Sequence, residues 1–180
     1  MENGASSYLR FLNGDKSGFV DIVKEYNDRL ILFVDTIIND MYISEEVIDD
    51  VFLRLYTDRP IYKEKYSFKT WLYTIARNTA LNYLKKIKRH TYSPIEDFCY
   101  ISDTVDIEAE YIQDEQKILI HHCIKALNQE YADVLFLVYF EGLSNAETAK
   151  IIGKSQRQIT QLLYRAKKAL KDAMERRSDI

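Results

Sequence analysis

The residues best suited to do chemistry lie near the C-terminal end of the chain. Gln156, Arg157, Thr160, Gln161, Tyr164, Arg165 and Lys168 recur at spacings of one, three and four. On a helix they share one outward face. Gln can make paired hydrogen bonds to adenine and Arg to guanine in the major groove, while Lys and Arg further along can hold phosphates. The opposite stripe is apolar: Ile159, Leu162, Leu163, Ala166 and Leu170. Before this helix, Ser144 is followed three residues later by Glu147, and Ser155 by Gln158. Both are capping-box patterns. Gly153 sits between the two boxes, where a tight turn needs a left-handed residue. Ala149 is small enough for two helices to approach closely. A short helix, a glycine turn and a longer basic helix make the helix-turn-helix layout.

A second polar stripe lies in the first half of the chain. Ser67 is placed to cap a helix running to about Lys88. Along it Thr70, Thr74, Arg77, Asn78, Leu81 and Lys85 share one side, while Trp71, Leu72, Ile75, Ala76 and Thr79 line another. An apolar back with an Arg, Asn and Lys front suits a nucleic-acid strand or groove; an ordinary amphipathic surface helix is the plainer alternative.

The elements that must position these faces are helical. Two prolines and five glycines in 180 residues are too few for the turns of a β-sandwich. A short helix is expected from about Ser6 to Leu12. A long one starts after Asp15, with Phe19, Ile22, Val23, Tyr26, Leu30, Phe33, Val34, Ile37 and Ile38 at helical spacing. A third starts after Ser44 as N-cap, with Val47, Ile48, Val51, Phe52 and Leu55 buried. Arg59 to Tyr66 reads as a loop around Pro60. Helical pattern resumes near Ile107 and continues to Leu127, and Asn128 then caps a helix ending near Phe140.

Charge divides the chain in the same way. The net value is only −3, yet Arg59 to Arg89 sets nine basic residues against the single acid Glu64. Pro94 to Glu115 holds acids and no Lys or Arg, and the C-terminal end is basic again. Two basic patches separated by an acidic segment point to two polyanion-facing surfaces. Other classes fall away. No apolar run reaches 18 residues, and no secretory leader pattern, Gly-rich phosphate loop, HExxH or CxxC motif occurs. No cofactor is expected. Cys99 and Cys123 read as reduced thiols of a cytoplasmic protein. His121, His122 and Cys123 are consecutive, so on a helix they point about 100° apart and cannot share one ion. A surface His pair beside a packed Cys is expected, with no metal site.

The run Ser44-Glu-Glu-Val-Ile-Asp-Asp-Val-Phe-Leu-Arg-Leu-Tyr56 resembles the second conserved region of bacterial RNA polymerase sigma factors. So do Ser67-Phe-Lys-Thr-Trp-Leu-Tyr-Thr-Ile-Ala-Arg-Asn78 and Asn82-Tyr-Leu-Lys-Lys86. Ala126 to Leu135, Glu141-Gly-Leu-Ser144 and Tyr164 to Leu170 resemble the fourth region. No third folded region fits between them, a plan similar to the extracytoplasmic-function group. The resemblance implies an all-α chain of two small helical domains, 1–90 and 107–180, joined by a flexible acidic linker, 91–106.

It also implies roles. Asp49, Asp50, Leu53 and Arg54 would bind the clamp helices of core RNA polymerase, with Leu55 more a core residue. Lys65, Tyr66, Ser67, Arg77, Asn78, Asn82, Lys85 and Lys86 would open and read the promoter minus-ten element, where a flipped base needs a pocket. Trp71 fits core packing better than stacking on a base. Ser155, Gln156, Arg157, Gln158, Thr160, Gln161, Tyr164, Arg165 and Lys168 would read the minus-thirty-five element. The linker carboxylates either stand in for RNA phosphates in the polymerase channels or act as acidic spacing. The family pattern departs at Asp49-Asp50, where Gln-Glu is usual, and at Gln156-Arg157-Gln158-Ile159, where a small-Gly-Thr-Val start is usual. An anti-sigma protein is the implied further partner, and the free chain is expected to be a monomer without membrane insertion. The competing reading is a stand-alone dimeric helix-turn-helix regulator.

Overall fold

Five consecutive residues of one helix, Leu30 to Val34, are all buried. A helix buried on every side must be covered by more than one layer, and this sets the architecture. The structure, a computed structural model, describes residues 3–90 and 115–178. The expected linker 91–106 and the start of the helix expected from Ile107 lie outside the described residues. The described residues form helices and connecting turns without strands, as the all-α reading expects.

Helix α1 (Asn3–Leu12) lies across α2 (Lys16–Ile38). Asp15 caps α2 by accepting the Ser17 amide at 2.9 Å, and hydrogen bonds from the Ser17 hydroxyl and amide hold its carboxyl below the ordinary range. Asn39 ends α2 in the left-handed conformation, φ 61°, with its amide on the Asp35 carbonyl. That turn decides where α3 (Met41–Asp58) begins. Asp40 is already extended, and its carboxylate accepts the Ile43 amide at 3.1 Å. Ser44 is therefore not the cap. It is buried in the first turn, its hydroxyl donating to the Asp40 carbonyl at 2.7 Å.

Ser67 does cap α4 (Phe68–His90), accepting the Thr70 amide at 3.1 Å. Trp71 sits in an aromatic cluster, its ring 5.4 Å from Tyr8, 5.3 Å from Tyr62 and 5.4 Å from Phe68. The Tyr8 hydroxyl donates to the Pro60 carbonyl at 2.7 Å, and burial pushes its pKa up to about 12. The cluster thus ties the loop before α4 to α1.

The C-terminal half comprises α5 (Glu115–Lys125), α6 (Gln129–Leu135), α7 (Asn145–Ile152) and α8 (Gln156–Ser178). Asn128 caps α6 as expected, accepting the Tyr131 amide at 3.1 Å. The expected end near Phe140 is reached by a single π-helical turn, Phe136–Phe140, closed by the Glu141 amide on the Phe136 carbonyl. It stacks Phe136 on Phe140, 5.0 Å apart and 10° from parallel.

The two halves do not stand apart. Phe136, Leu137, Leu143 and Ile151 join the same apolar core as Phe33, Leu72, Tyr73 and Ala76. The second core, under the helix-turn-helix, gathers Ile124, Val134, Leu135, Ile159, Leu163 and Ala166.

His121 is buried, contrary to the expected surface pair. Its Nε2 lies 3.2 Å from the Leu32 carbonyl, and its ring packs near Phe136 and Phe140. Packing of α5 on α2 turns that face inward. Cys123 is buried with a free thiol, as expected.

Gly18 marks the closest approach of α1 and α2. A Cβ there would meet the Ser7 carbonyl oxygen at 2.2 Å and the Phe11 nitrogen at 2.9 Å, both backbone atoms that cannot swing aside. Gly18→Ala should therefore separate the helices and destabilise the fold by about 1–3 kcal/mol, despite alanine's better helix propensity. Thermal unfolding followed by circular dichroism checks it, and an unchanged or raised Tm is the contrary result.

Candidate nucleic-acid interface

The helix-turn-helix is built from α7, Gly153 and α8. Ser144 and Glu147 form the capping box in full: the Ser144 side chain takes the Glu147 amide, and Glu147 Oε2 takes the Ser144 amide at 2.9 Å. Ser155 and Gln158 repeat the arrangement at the start of α8, at 2.8 and 3.3 Å. Gly153 turns the chain at φ 79°, where a Cβ would be strained by backbone conformation alone. Both its amide and that of Lys154 close on the Ala149 carbonyl. Ile159 is fully buried and pins α8 to the core beneath.

This leaves the front of α8 open. Ser155, Gln156, Arg157, Gln158, Thr160, Gln161, Tyr164, Arg165 and Lys168 are all exposed, Tyr164 at 77%. Thr160 is partly engaged: it accepts from Asn145 at 3.2 Å and donates to the Gln156 carbonyl.

The residues on and before α4 divide into two groups. Asn78, Asn82, Lys85 and Lys86 are exposed along its C-terminal half. Lys65 and Tyr66 are exposed in the preceding loop, with the Lys150 ammonium 4.6 Å from the Tyr66 ring centroid. Ser67 and Arg77 instead meet the C-terminal half. The Ser67 hydroxyl lies 3.1 Å from Glu147 Oε1. Arg77 donates through Nε to Asp133 Oδ2 at 2.9 Å, and its Nη2 pairs with the same oxygen at 2.8 Å. The buried back of α4 includes Phe68, Leu72, Tyr73, Ala76 and Ala80, with Trp71 and Ile75 half-buried against the same core, so Tyr73 adds to the expected apolar stripe.

A third exposed group lies on α3. Asp49, Asp50, Leu53 and Arg54 face outward, with Leu53 59% exposed. Leu55 is buried, as expected.

Comparison with known proteins adds to this geometry. Residues 22–90 match Sigma-70 region 2, and residues 117–170 match Sigma-70, region 4. The chain belongs to the extracytoplasmic-function sigma factors. It is 25% identical to the RNA polymerase sigma-H factor of Pseudomonas aeruginosa over 177 residues, covering 92% of this chain and 91% of that one. It is 25% identical to the ECF RNA polymerase sigma factor SigW of Bacillus subtilis over 167 residues, covering 88% and 89%. In fold it resembles the sigma factor RpoE of Bartonella quintana, solved in complex with the anti-sigma factor NepR. The TM-score there is 0.67 at 18% identity, over 89% of this chain and 98% of that one.

In this sigma factor, the sequence reading missed the acids that meet α4 and α2. Asp133 is fully buried; burial raises its carboxyl pKa, against the lowering effect of Arg77 and of Gln129, whose amide donates at 2.7 Å. Asp35 is fully buried on α2, with Lys125 Nζ at 2.7 Å. Glu141 receives Lys69 Nζ at 2.8 Å on its carboxylate and 2.7 Å on its carbonyl. Burial pushes the Tyr73 hydroxyl well up, and the neighbouring Glu141 charge adds to this. A signal was available: Asp35 and Asp133 each interrupt an otherwise apolar run, and such acids are rarely buried unless paired. Among the described residues no group of three or more His, Cys, Asp or Glu is arranged to hold a metal ion.

Burial would raise the Glu147 carboxyl, but hydrogen bonds from Ser144, Ser67 and Thr70 outweigh it and hold it below the ordinary 4.5. The unfolded chain therefore takes up this proton more readily than the folded one. The stability Glu147 contributes is complete above pH 4.5 and is lost as pH falls through its folded value. Glu147→Gln should lower Tm at pH 7, with the gap to the parent narrowing at pH values below 4.5. A gap of constant size across that range would contradict the assignment.

Proposed function

We propose that this sigma factor reads a promoter at two places: with the front of α8 at a minus-thirty-five element, and with the loop before α4 and its exposed polar stripe at a minus-ten element. As a sigma subunit it serves transcription initiation and dissociates from the polymerase. The observation that carries the reading is the open front of α8. A doubly capped helix-turn-helix presents Gln156, Arg157, Gln161 and Arg165 together, with an apolar back that fixes their aim. The first two lie at the N-terminal end of the helix, the part that contacts base edges in this motif.

On α4, Asn78, Asn82, Lys85 and Lys86 supply donors and charge for a single strand and its phosphates. Lys65, Tyr66 and Ser67 flank the site where an extruded base would be received. The exposed Leu53 with Asp49, Asp50 and Arg54 on α3 suits the clamp helices of core polymerase. Residues 1–90 and 107–180 would be its two domains. Bond formation belongs to the core enzyme, so the chain itself is not a catalyst. It acts in the cytoplasm, where its DNA and polymerase are, and no helix among the described residues is long and apolar enough to cross a membrane. An anti-sigma protein is a further partner, by analogy with the RpoE complex, and the free chain is a monomer.

Run-off transcription with core polymerase and upstream fragments of the source genome tests this. Defined start sites should appear only when the chain is added. Arg157→Ala should then reduce transcripts from those promoters by about tenfold, the worth of one paired base contact, while core binding is unchanged. Absence of core binding, with dimeric sequence-specific binding to free DNA, would replace this reading with a stand-alone regulator.

A further inference from the structure

We propose that Thr160 reads one thymine of the minus-thirty-five element through its methyl group, with Asn145 as the positioning residue that keeps the Thr160 hydroxyl engaged within the protein. This rests on the promoter reading above and names the chemistry of one position in it. Thr160 lies one helical turn beyond Gln156 and three residues beyond Arg157, on the exposed front of α8 and near the end of the helix that contacts base edges in this motif. A threonine there can offer a base a hydroxyl, which donates or accepts, or a methyl, which only packs. The hydroxyl is already occupied. It donates to the Gln156 carbonyl at 3.1 Å, within its own helix. It also accepts the side-chain amide of Asn145 at 3.2 Å, from the first residue of α7.

Hydrogen-bond capacity decides which group reads. A hydroxyl has one proton and two lone pairs. Thr160 has committed the proton and one lone pair, so donating to a guanine or thymine oxygen would break the bond inside α8. The lone pair left over can accept only from adenine or cytosine. Serine would keep it as well as threonine does, which makes the two readings separable. Gln156, Arg157 and Gln161 beside it carry exposed donors and acceptors, so the hydrogen-bonded part of the reading does not need Thr160. An apolar group among such side chains matches the apolar feature of the major-groove edge, the C5 methyl of thymine. Removing one methyl from water amounts to about a fourfold preference for thymine over a base without it. Because Asn145 belongs to α7 and Gln156 to α8, the oxygen is held from two elements and the side chain is preorganised before DNA arrives.

The test uses holoenzyme, formed from core polymerase and the full chain, on a promoter defined by run-off transcription. Thymines of its minus-thirty-five element are replaced by uracil one at a time, on each strand. Uracil keeps the pairing and the O4 acceptor and lacks only the methyl. In promoter competition the parent should lose about fourfold in affinity at one such position. Thr160→Val keeps a methyl and removes the hydroxyl, and should show the same loss at the same position. Thr160→Ser keeps the hydroxyl and removes the methyl. It should bind the thymine promoter about fourfold more weakly and be indifferent to uracil there. Asn145→Ala should leave core binding unchanged yet shrink the parent's thymine-to-uracil ratio, which a merely structural role in α7 would not do. Neither position belongs to an apolar core, so folding is not at stake. An element without thymine, no uracil-sensitive position, or sensitivity that persists in Thr160→Ser overturns the proposal. So does a serine variant equal to the parent beside a weakened valine variant, which assigns the hydroxyl instead. An unchanged ratio in Asn145→Ala overturns the positioning role. Full transcription by Arg157→Ala would strike at the promoter reading, whereas its loss beside indifference to uracil strikes at the methyl contact alone.

Discussion

Everything in this structure depends on α2 being apolar around most of its circumference over its C-terminal half. Leu30, Ile31, Leu32, Phe33 and Val34 are all buried, and no single flank of helices could cover all five. Helices α1, α3 and α4 pack on one part of the surface and α5 and α6 on the rest. The requirement to remove that surface from water draws the C-terminal half onto the N-terminal half. It brings carboxylates of α6, α7 and the turn between them against α4.

The apolar contact and the ion pairs act differently. Burial of side chains such as Phe33 and Phe136, at roughly 1.5–3 kcal/mol each, supplies the attraction but little direction. The pairs Asp35 with Lys125, Asp133 with Arg77, and Glu141 with Lys69 add direction. Moving either half relative to the other would strand a buried charge, which is far costlier than the net gain from forming the pair. The helix-turn-helix is held by its own core and by backbone caps, so the front of α8 stays open whatever happens at α4. The two polar helix faces are thus unequally available: the front of α8 is displayed, and that of α4 is partly covered.

Much of this was legible in the residues. The 3.6-residue spacing of apolar positions located the helices, since burial on one face imposes that period. Asp15, Ser67, Asn128, Ser144 and Gly153 marked helix ends, because the groups they satisfy lie within one turn of chain. The front of α8 was equally readable: once the apolar stripe from Ile159 to Leu170 is assigned, the polar residues have only the outside left. Ser44 was misread for an instructive reason. Its sequence context fits a cap, but the left-handed Asn39 had already extended the chain at Asp40 and started the helix a turn earlier.

Local pattern by itself thus determined which segments are helices, where most of them begin, and which face of each isolated helix is apolar. Only the tertiary structure decided what covers the second side of α2, and with it the burial of His121, the pairing of Asp35 with Lys125 and the hold of Asp133 on Arg77. The physical reason is range. Caps and helical periods are settled among residues three or four apart. The cationic partners of the buried acids lie 56 or more positions away in the chain, and nothing in the spacing near Asp133 distinguishes Arg77 from any other arginine.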